Sequence, residues 1–87
     1  MDYVICIPSY KRSDLCNVKT LSTLMKHKIP KSKIYVFVAN KKEYEEYVNV
    51  LETNKYNKLI IGKKGLVQQR EYICNYFKTG QPIVYFD

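Results

Sequence analysis

Four short apolar runs alternate with three segments of helical periodicity, and this alternation is the feature that most restricts the fold. The apolar runs cover residues 3–7, 33–39, 58–61 and 83–87. Between them, apolar side chains recur every three or four residues over residues 15–25, 44–51 and 66–77. Strict alternation is typical of a parallel sheet joined by right-handed crossovers. The sequence therefore predicts an α/β fold, a three-layer βαβαβαβ arrangement around a Rossmann-like parallel half-sheet.

The first apolar run ends in a polar, basic loop over residues 8–12. The run itself is apolar at every position, as expected of a strand whose sheet has helices on both faces. Pro8 ends the strand because proline cannot donate to a sheet ladder. Two interpretations remain open for the loop: an ordinary turn whose Lys11 and Arg12 are solvated, or a ligand-binding loop.

Polar residues follow each predicted strand at its carboxyl end. They are residues 8–12 after the first strand, Asn40 after the second, residues 62–65 after the third, and Asp87 at the end of the fourth. In parallel α/β sheets, ligands bind outside the carboxyl ends of the strands, near the point where strand order reverses. The sequence therefore predicts that this edge of the sheet carries the binding site.

Length and charge limit the classes of function. A chain of 87 residues makes one small domain, and its net charge of +7 favours an anionic partner such as nucleic acid, a nucleotide or an acidic surface. Thirteen of the fifteen basic residues are lysines, which are scattered along the chain and do not form the dense stripe that is usual for nucleic-acid binding. The net charge alone still favours an anionic partner, so a basic nucleic-acid-binding module without catalysis is kept as the alternative function.

The cysteines indicate a reducing environment. Cys6, Cys16 and Cys74 are odd in number, form no C-x-x-C pair and follow no secretory segment, which predicts free thiols and a cytoplasmic location. A zinc site made from them and His27 would lack the paired ligand spacing of structural zinc sites. The longest apolar run is far shorter than the roughly 20 residues of a membrane span, so no membrane association is expected.

An arginine interrupts the predicted buried face of the third helix. Arg70 lies among the apolar positions that define this face by their spacing, namely Leu66, Val67, Ile73, Cys74 and Phe77. Arginine is almost never buried unpaired, because desolvating an ion costs several kcal/mol. Three interpretations remain open: a salt bridge to a carboxylate of the chain such as Asp87 or Glu71, a side chain that extends past the helix end into water, or contact with a bound nucleotide, which a planar five-donor side chain suits.

Three segments of the chain form a nested set: Ile7-Pro8-Ser9-Tyr10-Lys11-Arg12, the stretch Lys64-Gly65-Leu66-Val67-Gln68-Gln69-Arg70-Glu71, and Ile83-Val84-Tyr85-Phe86-Asp87. Taken together, these segments resemble the N-terminal, nucleotide-binding half of a GT-A glycosyltransferase. Within that family the chain is most similar to the TET-associated glycosyltransferases of viruses and phages.

The resemblance implies a nucleotide-sugar donor, most simply a UDP-sugar, a divalent Mn²⁺ or Mg²⁺ ion, and modified bases of DNA as a candidate acceptor. It implies that the nucleotide is bound by Pro8, Ser9, Tyr10, Arg12, Asn40, Gly65 and Arg70, and that Asp87 binds the metal. Asn40 stands where the family usually has an acidic residue. The sequence ends at what would be the first aspartate of the metal motif, so we expect residues 1–87 to be the N-terminal part of a longer domain. We further expect this part to bind nucleotide weakly and to transfer no sugar alone, and no catalytic residue is assigned.

Overall fold

A parallel four-stranded sheet forms the centre of the molecule. The structure is a computed structural model that describes residues 3–11, 13 and 16–86. Its strands are β1 (Val4–Pro8), β2 (Ile34–Val38), β3 (Lys58–Ile61) and β4 (Ile83–Tyr85), in the spatial order β3-β2-β1-β4 with every neighbouring pair parallel. The predicted α/β fold with a parallel half-sheet is therefore confirmed.

In the part of the chain that the structure describes, three helices connect the strands. Helix α1 (Ser22–Lys26) continues from a π-helix (Cys16–Leu21), α2 spans Lys41–Val50 and α3 spans Leu66–Tyr76. Short 3₁₀ turns, Lys31–Lys33 and Thr53–Lys55, precede β2 and β3. The first helical segment differs from a regular α-helix because its Cys16–Leu21 part is wound more widely. The Ser22 hydroxyl donates to the Asn17 carbonyl five residues earlier, at 3.0 Å.

Apolar side chains on the two faces of the sheet form two cores. On one face, Ile5 and Ile7 of β1 pack with Leu21, Leu24 and Tyr47 of the α1 and α2 side. On the other face, Cys6 and Phe37 pack with Ile73 of α3. The chain order explains this arrangement, because right-handed crossovers place α1 and α2 on one face and the return from β3 to β4 places α3 on the other.

Helix α3 is turned relative to the sequence prediction. Its buried residues are Gln69 and Ile73, whereas Leu66, Arg70 and Cys74 are exposed and Val67 is 72% exposed. The prediction of Leu66, Val67, Arg70 and Cys74 as buried-face positions is therefore wrong. The reason is aromatic packing: Phe37 of β2 makes edge-to-face contacts with Tyr72 and Tyr76, so positions 69, 72, 73 and 76 face the sheet.

None of the helices in the described part of the chain has the length and apolar character that crossing a membrane requires.

Candidate functional site

A cavity of about 310 Å³ opens at the carboxyl edge of the sheet, beyond the ends of β1, β2 and β3. It is lined by Pro8, Ser9, Tyr10, Ala39, Lys63, Lys64, Gly65, Leu66 and Gln69. Four of the residues predicted to bind a nucleotide therefore meet in one place: Pro8, Ser9, Tyr10 and Gly65. Asn40 and Arg70 do not line the cavity, and Arg12 and Asp87 lie outside the described residues.

Tyr10 gives the cavity an aromatic surface beside two cations. The Tyr10 side chain is 39% exposed, and its ring centroid lies 5.3 Å from Lys11 Nζ and 5.6 Å from Lys64 Nζ. Ammonium groups at this range are attracted to the face of an aromatic ring. The mouth of the cavity thus combines a stacking surface with positive charge, a pairing that suits an aromatic, anionic ligand.

Ser9 fixes the loop after β1 to the sheet and to α2. Its backbone N–H donates to the Phe37 carbonyl at 2.9 Å, and its hydroxyl lies 2.6 Å from the hydroxyl of the fully buried Tyr47. The Ser9 side chain also hydrogen-bonds the buried Cys16 thiol. Because these groups hold its hydroxyl, Ser9 anchors the loop after β1. The next residue of that loop, Tyr10, lines the cavity.

Asn40 and Glu43 hold the same loop from the start of α2. Asn40 is the N-cap, and its side-chain oxygen accepts a hydrogen bond from the Glu43 N–H at 2.9 Å. The Glu43 carboxylate, 5% exposed, accepts from the Lys11 N–H at 2.7 Å. Lys11 has a φ of 53°, so this bond stabilises a left-handed residue in the loop. Sequence reasoning missed Glu43, although the Asn-x-x-Glu spacing resembles a capping box.

Gln69 was also missed, and it connects three elements at the floor of the cavity. Its side chain is 4% exposed; the amide nitrogen donates to the Val38 carbonyl at 3.2 Å and the amide oxygen accepts from the Lys63 N–H at 2.9 Å. A buried amide is tolerated because both of its ends are hydrogen-bonded. Gln69 therefore sets the distance between α3, the end of β2 and the loop that carries Lys63 and Lys64.

Gly65 begins α3 with a backbone that side-chain-bearing residues rarely adopt. It is the N-cap residue, with φ 97° and ψ 141°. Only glycine adopts such a conformation without strain. The turn at Gly65 brings the amino terminus of α3, the end that favours anions, to the cavity wall.

Arg70 contacts an aromatic ring of β4. The guanidinium carbon lies 5.1 Å from the centroid of the Tyr85 ring, and the Tyr85 hydroxyl donates weakly to the Arg70 carbonyl at 3.5 Å. Burial, followed by the hydrogen bond with the Cys74 thiol, raises the pKa of Tyr85 to about 12, so the phenol under Arg70 is neutral at physiological pH. The exposed guanidinium is thus held at the side of α3 that faces β4.

A metal site is not formed by the described residues. Within residues 3–11, 13 and 16–86, no group of three His, Cys, Asp or Glu side chains could hold a metal ion. The only ligand that the sequence assigned, Asp87, lies outside this part of the chain. The described residues therefore do not form a complete divalent-ion site.

The three cysteines are free thiols in different environments. Cys6 and Cys16 are buried, and Cys74 is exposed. Burial, with a smaller effect of the neighbouring Cys74, raises the pKa of Cys6 to about 12. Burial also raises the pKa of Cys16 to about 11, against the hydrogen bond with Ser9, which lowers it.

Because the thiolate is the reactive form, we expect Cys74 alone to be alkylated rapidly in the native protein near pH 8. Mass spectrometry after brief treatment with iodoacetamide should show one adduct, and treatment in urea should show three. A Cys74→Ser variant is the control and should show almost no adduct in the native state. Two or more rapid adducts in the wild-type protein would contradict the buried positions of Cys6 and Cys16.

No protein-family model matches the chain, and no significant match is found among curated proteins or solved structures. The class of protein is therefore defined by the architecture itself: an all-parallel α/β sheet with helices on both faces. Its candidate site is the cavity at the carboxyl edge, where such sheets bind ligands.

Proposed function

We propose that this chain binds a nucleotide sugar at the carboxyl edge of its sheet, as the donor-binding part of a glycosyltransferase. One observation carries the proposal: the Tyr10 ring, flanked by Lys11 and Lys64, opens onto a cavity whose wall includes the amino terminus of α3. A nucleotide presents an aromatic base and a negatively charged phosphate group. The Tyr10 ring complements the base, and the lysines and the amino terminus of α3 complement the phosphate group.

The lining residues divide between these two parts of the ligand. Pro8, Ala39 and Leu66 supply apolar surface, and the exposed Tyr10 ring offers a stacking face for a base. Lys64 and the first turn of α3 supply positive charge for phosphate oxygens. A volume of about 310 Å³ is at the small end for pockets that bind small molecules, so we expect the sugar to extend beyond the described cavity.

The metal ion and the acceptor belong to the proposal only through the resemblance. A divalent ion held by Asp87 would neutralise the charge of the leaving diphosphate. The described residues offer no complete set of metal ligands. We therefore assign phosphate binding to Lys11 and Lys64, the two lysines beside the Tyr10 ring. Modified bases of DNA are the acceptor that the resemblance suggests, and no described residue is assigned to the transfer step.

The proposal is tested by titrating the chain with UDP-glucose, UDP and uridine in a calorimeter. Tyr10→Ala and Lys64→Ala should each weaken UDP-glucose binding about tenfold, the effect of losing one stacking or charged contact. Tyr10→Phe keeps the ring and should bind nearly as well as the wild type. Lys42→Ala removes an exposed lysine outside the cavity and is the control.

Two results would contradict the proposal. One is the absence of UDP-glucose binding at about 1 mM ligand, which corresponds to the weakest specific binding that we expect. The other is an equal loss of affinity in Lys42→Ala and Lys64→Ala, which would mean that net charge and not the cavity holds the ligand.

A further inference from the structure

A second cavity, of about 250 Å³, lies along one side of α3. It is lined by Lys63, Gln68, Glu71, Tyr72 and Asn75, and we call it the α3 groove. Lys63 follows β3, and the other four residues share one side of the helix because they recur at spacings of three and four. Arg70 and Cys74, which contact Tyr85 of β4, lie on a different side of α3. The groove is therefore on the flank of α3 that is turned away from β4.

The fold holds two of the lining residues in place. The Lys63 N–H donates to the buried amide oxygen of Gln69 at 2.9 Å, which fixes the backbone from which the Lys63 side chain extends. The Tyr72 ring makes an edge-to-face contact with the fully buried Phe37, with ring centroids 6.3 Å apart. The groove thus has an aromatic wall that rests on the core and a basic residue at a fixed position.

The α3 groove carries one cation and one anion. Lys63 and Glu71 are exposed, and neither side chain forms an ion pair or a hydrogen bond with another described residue. The amides of Gln68 and Asn75 add hydrogen-bond donors and acceptors. The lining therefore has no net charge, on a chain whose net charge is +7.

These groups discriminate between kinds of ligand. A nucleotide or another anion would meet the Glu71 carboxylate as well as the Lys63 ammonium. A neutral polyol would gain little from either charge, because water binds charged groups equally well. A zwitterion can bind both, with its carboxylate at Lys63 and its ammonium at Glu71, through charge-assisted hydrogen bonds. The volume of about 250 Å³ is below the range of pockets for drug-sized molecules, so the ligand is small.

We propose that the α3 groove binds a zwitterionic α-amino acid, at a site separate from the cavity at the carboxyl edge. Lys63 binds the α-carboxylate and Glu71 binds the α-ammonium group. The side chain of the amino acid lies against the Tyr72 ring and extends the aromatic contact of Tyr72 with Phe37. The site has no part in binding the nucleotide sugar, so the inference does not rest on the proposed function.

The test follows backbone amide signals of the isotope-labelled chain by NMR during titration with L-phenylalanine. Two analogues each lack one charge: N-acetyl-L-phenylalanine has no ammonium group, and L-phenylalaninamide has no carboxylate. We expect L-phenylalanine to bind with a dissociation constant of about 1 mM and each analogue to bind roughly tenfold more weakly. The largest shifts should occur at positions 63, 68, 71, 72 and 75.

A pair of variants assigns the ammonium contact to Glu71. Glu71→Gln should weaken L-phenylalanine binding roughly tenfold, and L-phenylalanine and its N-acetyl analogue should then bind within about threefold of each other. Glu46→Gln is the matched control, because it removes an exposed carboxylate of α2 that does not line the groove. UDP-glucose affinity should be the same in Glu71→Gln as in the wild type, so the two sites can fail independently.

Four outcomes would overturn the inference. One is the absence of shifts with L-phenylalanine at about 10 mM, well above the expected dissociation constant. Another is N-acetyl-L-phenylalanine that binds the wild-type chain as tightly as L-phenylalanine, since the ammonium group would then go unrecognised. Equal losses in Glu71→Gln and Glu46→Gln would show that no specific carboxylate is involved. Shifts centred on residues 8–10 would place the amino acid in the carboxyl-edge cavity.

Discussion

Replacing Gly62 with alanine is expected to destabilise the fold by about 2–4 kcal/mol, a large part of the roughly 5–15 kcal/mol that holds a small domain together. The physical reason is a steric overlap, because a Cβ at position 62 would lie far inside the van der Waals contact distance of the Gln69 amide oxygen. Urea unfolding followed by circular dichroism would measure the change.

The overlap is costly because Gln69 cannot move aside. Its amide is buried and hydrogen-bonded at both ends, to the Val38 carbonyl and the Lys63 N–H. Gly62 is held equally firmly, since its own N–H donates to the same Val38 carbonyl at 2.8 Å. Relieving the overlap would leave buried polar groups without partners, and each such group costs about 1–3 kcal/mol.

A double-mutant cycle separates this overlap from a general effect of removing a glycine. In a Gln69→Ala background, Gly62→Ala should cost less than about 1 kcal/mol, because the atom that it meets is gone. Gly80→Ala is the control, since a Cβ there meets nothing within 4 Å and only the positive φ of 91° opposes it. An equal cost of Gly62→Ala with and without Gln69 would refute the tight contact.

The topology was predictable because every strand is a short apolar run and every connection has helical periodicity. Val36 and Phe37 of β2 face opposite sides of the sheet and are both fully buried, as the apolar character of both faces predicts. The rotation of α3 was not predictable in this way. Tyr72, Tyr76 and Gln69 count as polar or ambiguous in a pattern, and they face the sheet only because Phe37 and the Val38 carbonyl are there to receive them.

The candidate site was predictable in its location and only partly in its residues. The carboxyl-edge rule selects Pro8, Ser9, Tyr10 and Gly65, which line the cavity. The approach of Lys64 to Tyr10 and of Glu43 to the Lys11 N–H joins residues far apart in sequence, so it depends on packing that no local pattern describes. The predicted roles of Arg12, Asn40, Arg70 and Asp87 stay predictions.

Replacing Ile73 with alanine is expected to destabilise the fold by about 2–5 kcal/mol, and Val67→Ala by less than about 0.5 kcal/mol. Ile73 is fully buried with Cys6 and Phe37, so truncating it leaves a cavity in the core between α3 and the sheet. Val67 lies six residues earlier on the same helix and is 72% exposed, so its truncation removes little contact.

This pair of substitutions decides how α3 faces the sheet. The apolar spacing of the sequence predicts that both residues are buried, whereas the aromatic contacts of Phe37 bury only Ile73. Urea unfolding of the two variants measures the difference directly, and Tyr76→Ala provides a further check because it removes an edge-to-face contact with Phe37. Comparable losses in Val67→Ala and Ile73→Ala would mean that α3 is turned as its apolar spacing predicts. That rotation would also move Gln69 away from the Val38 carbonyl and Lys63, and with it the floor of the cavity.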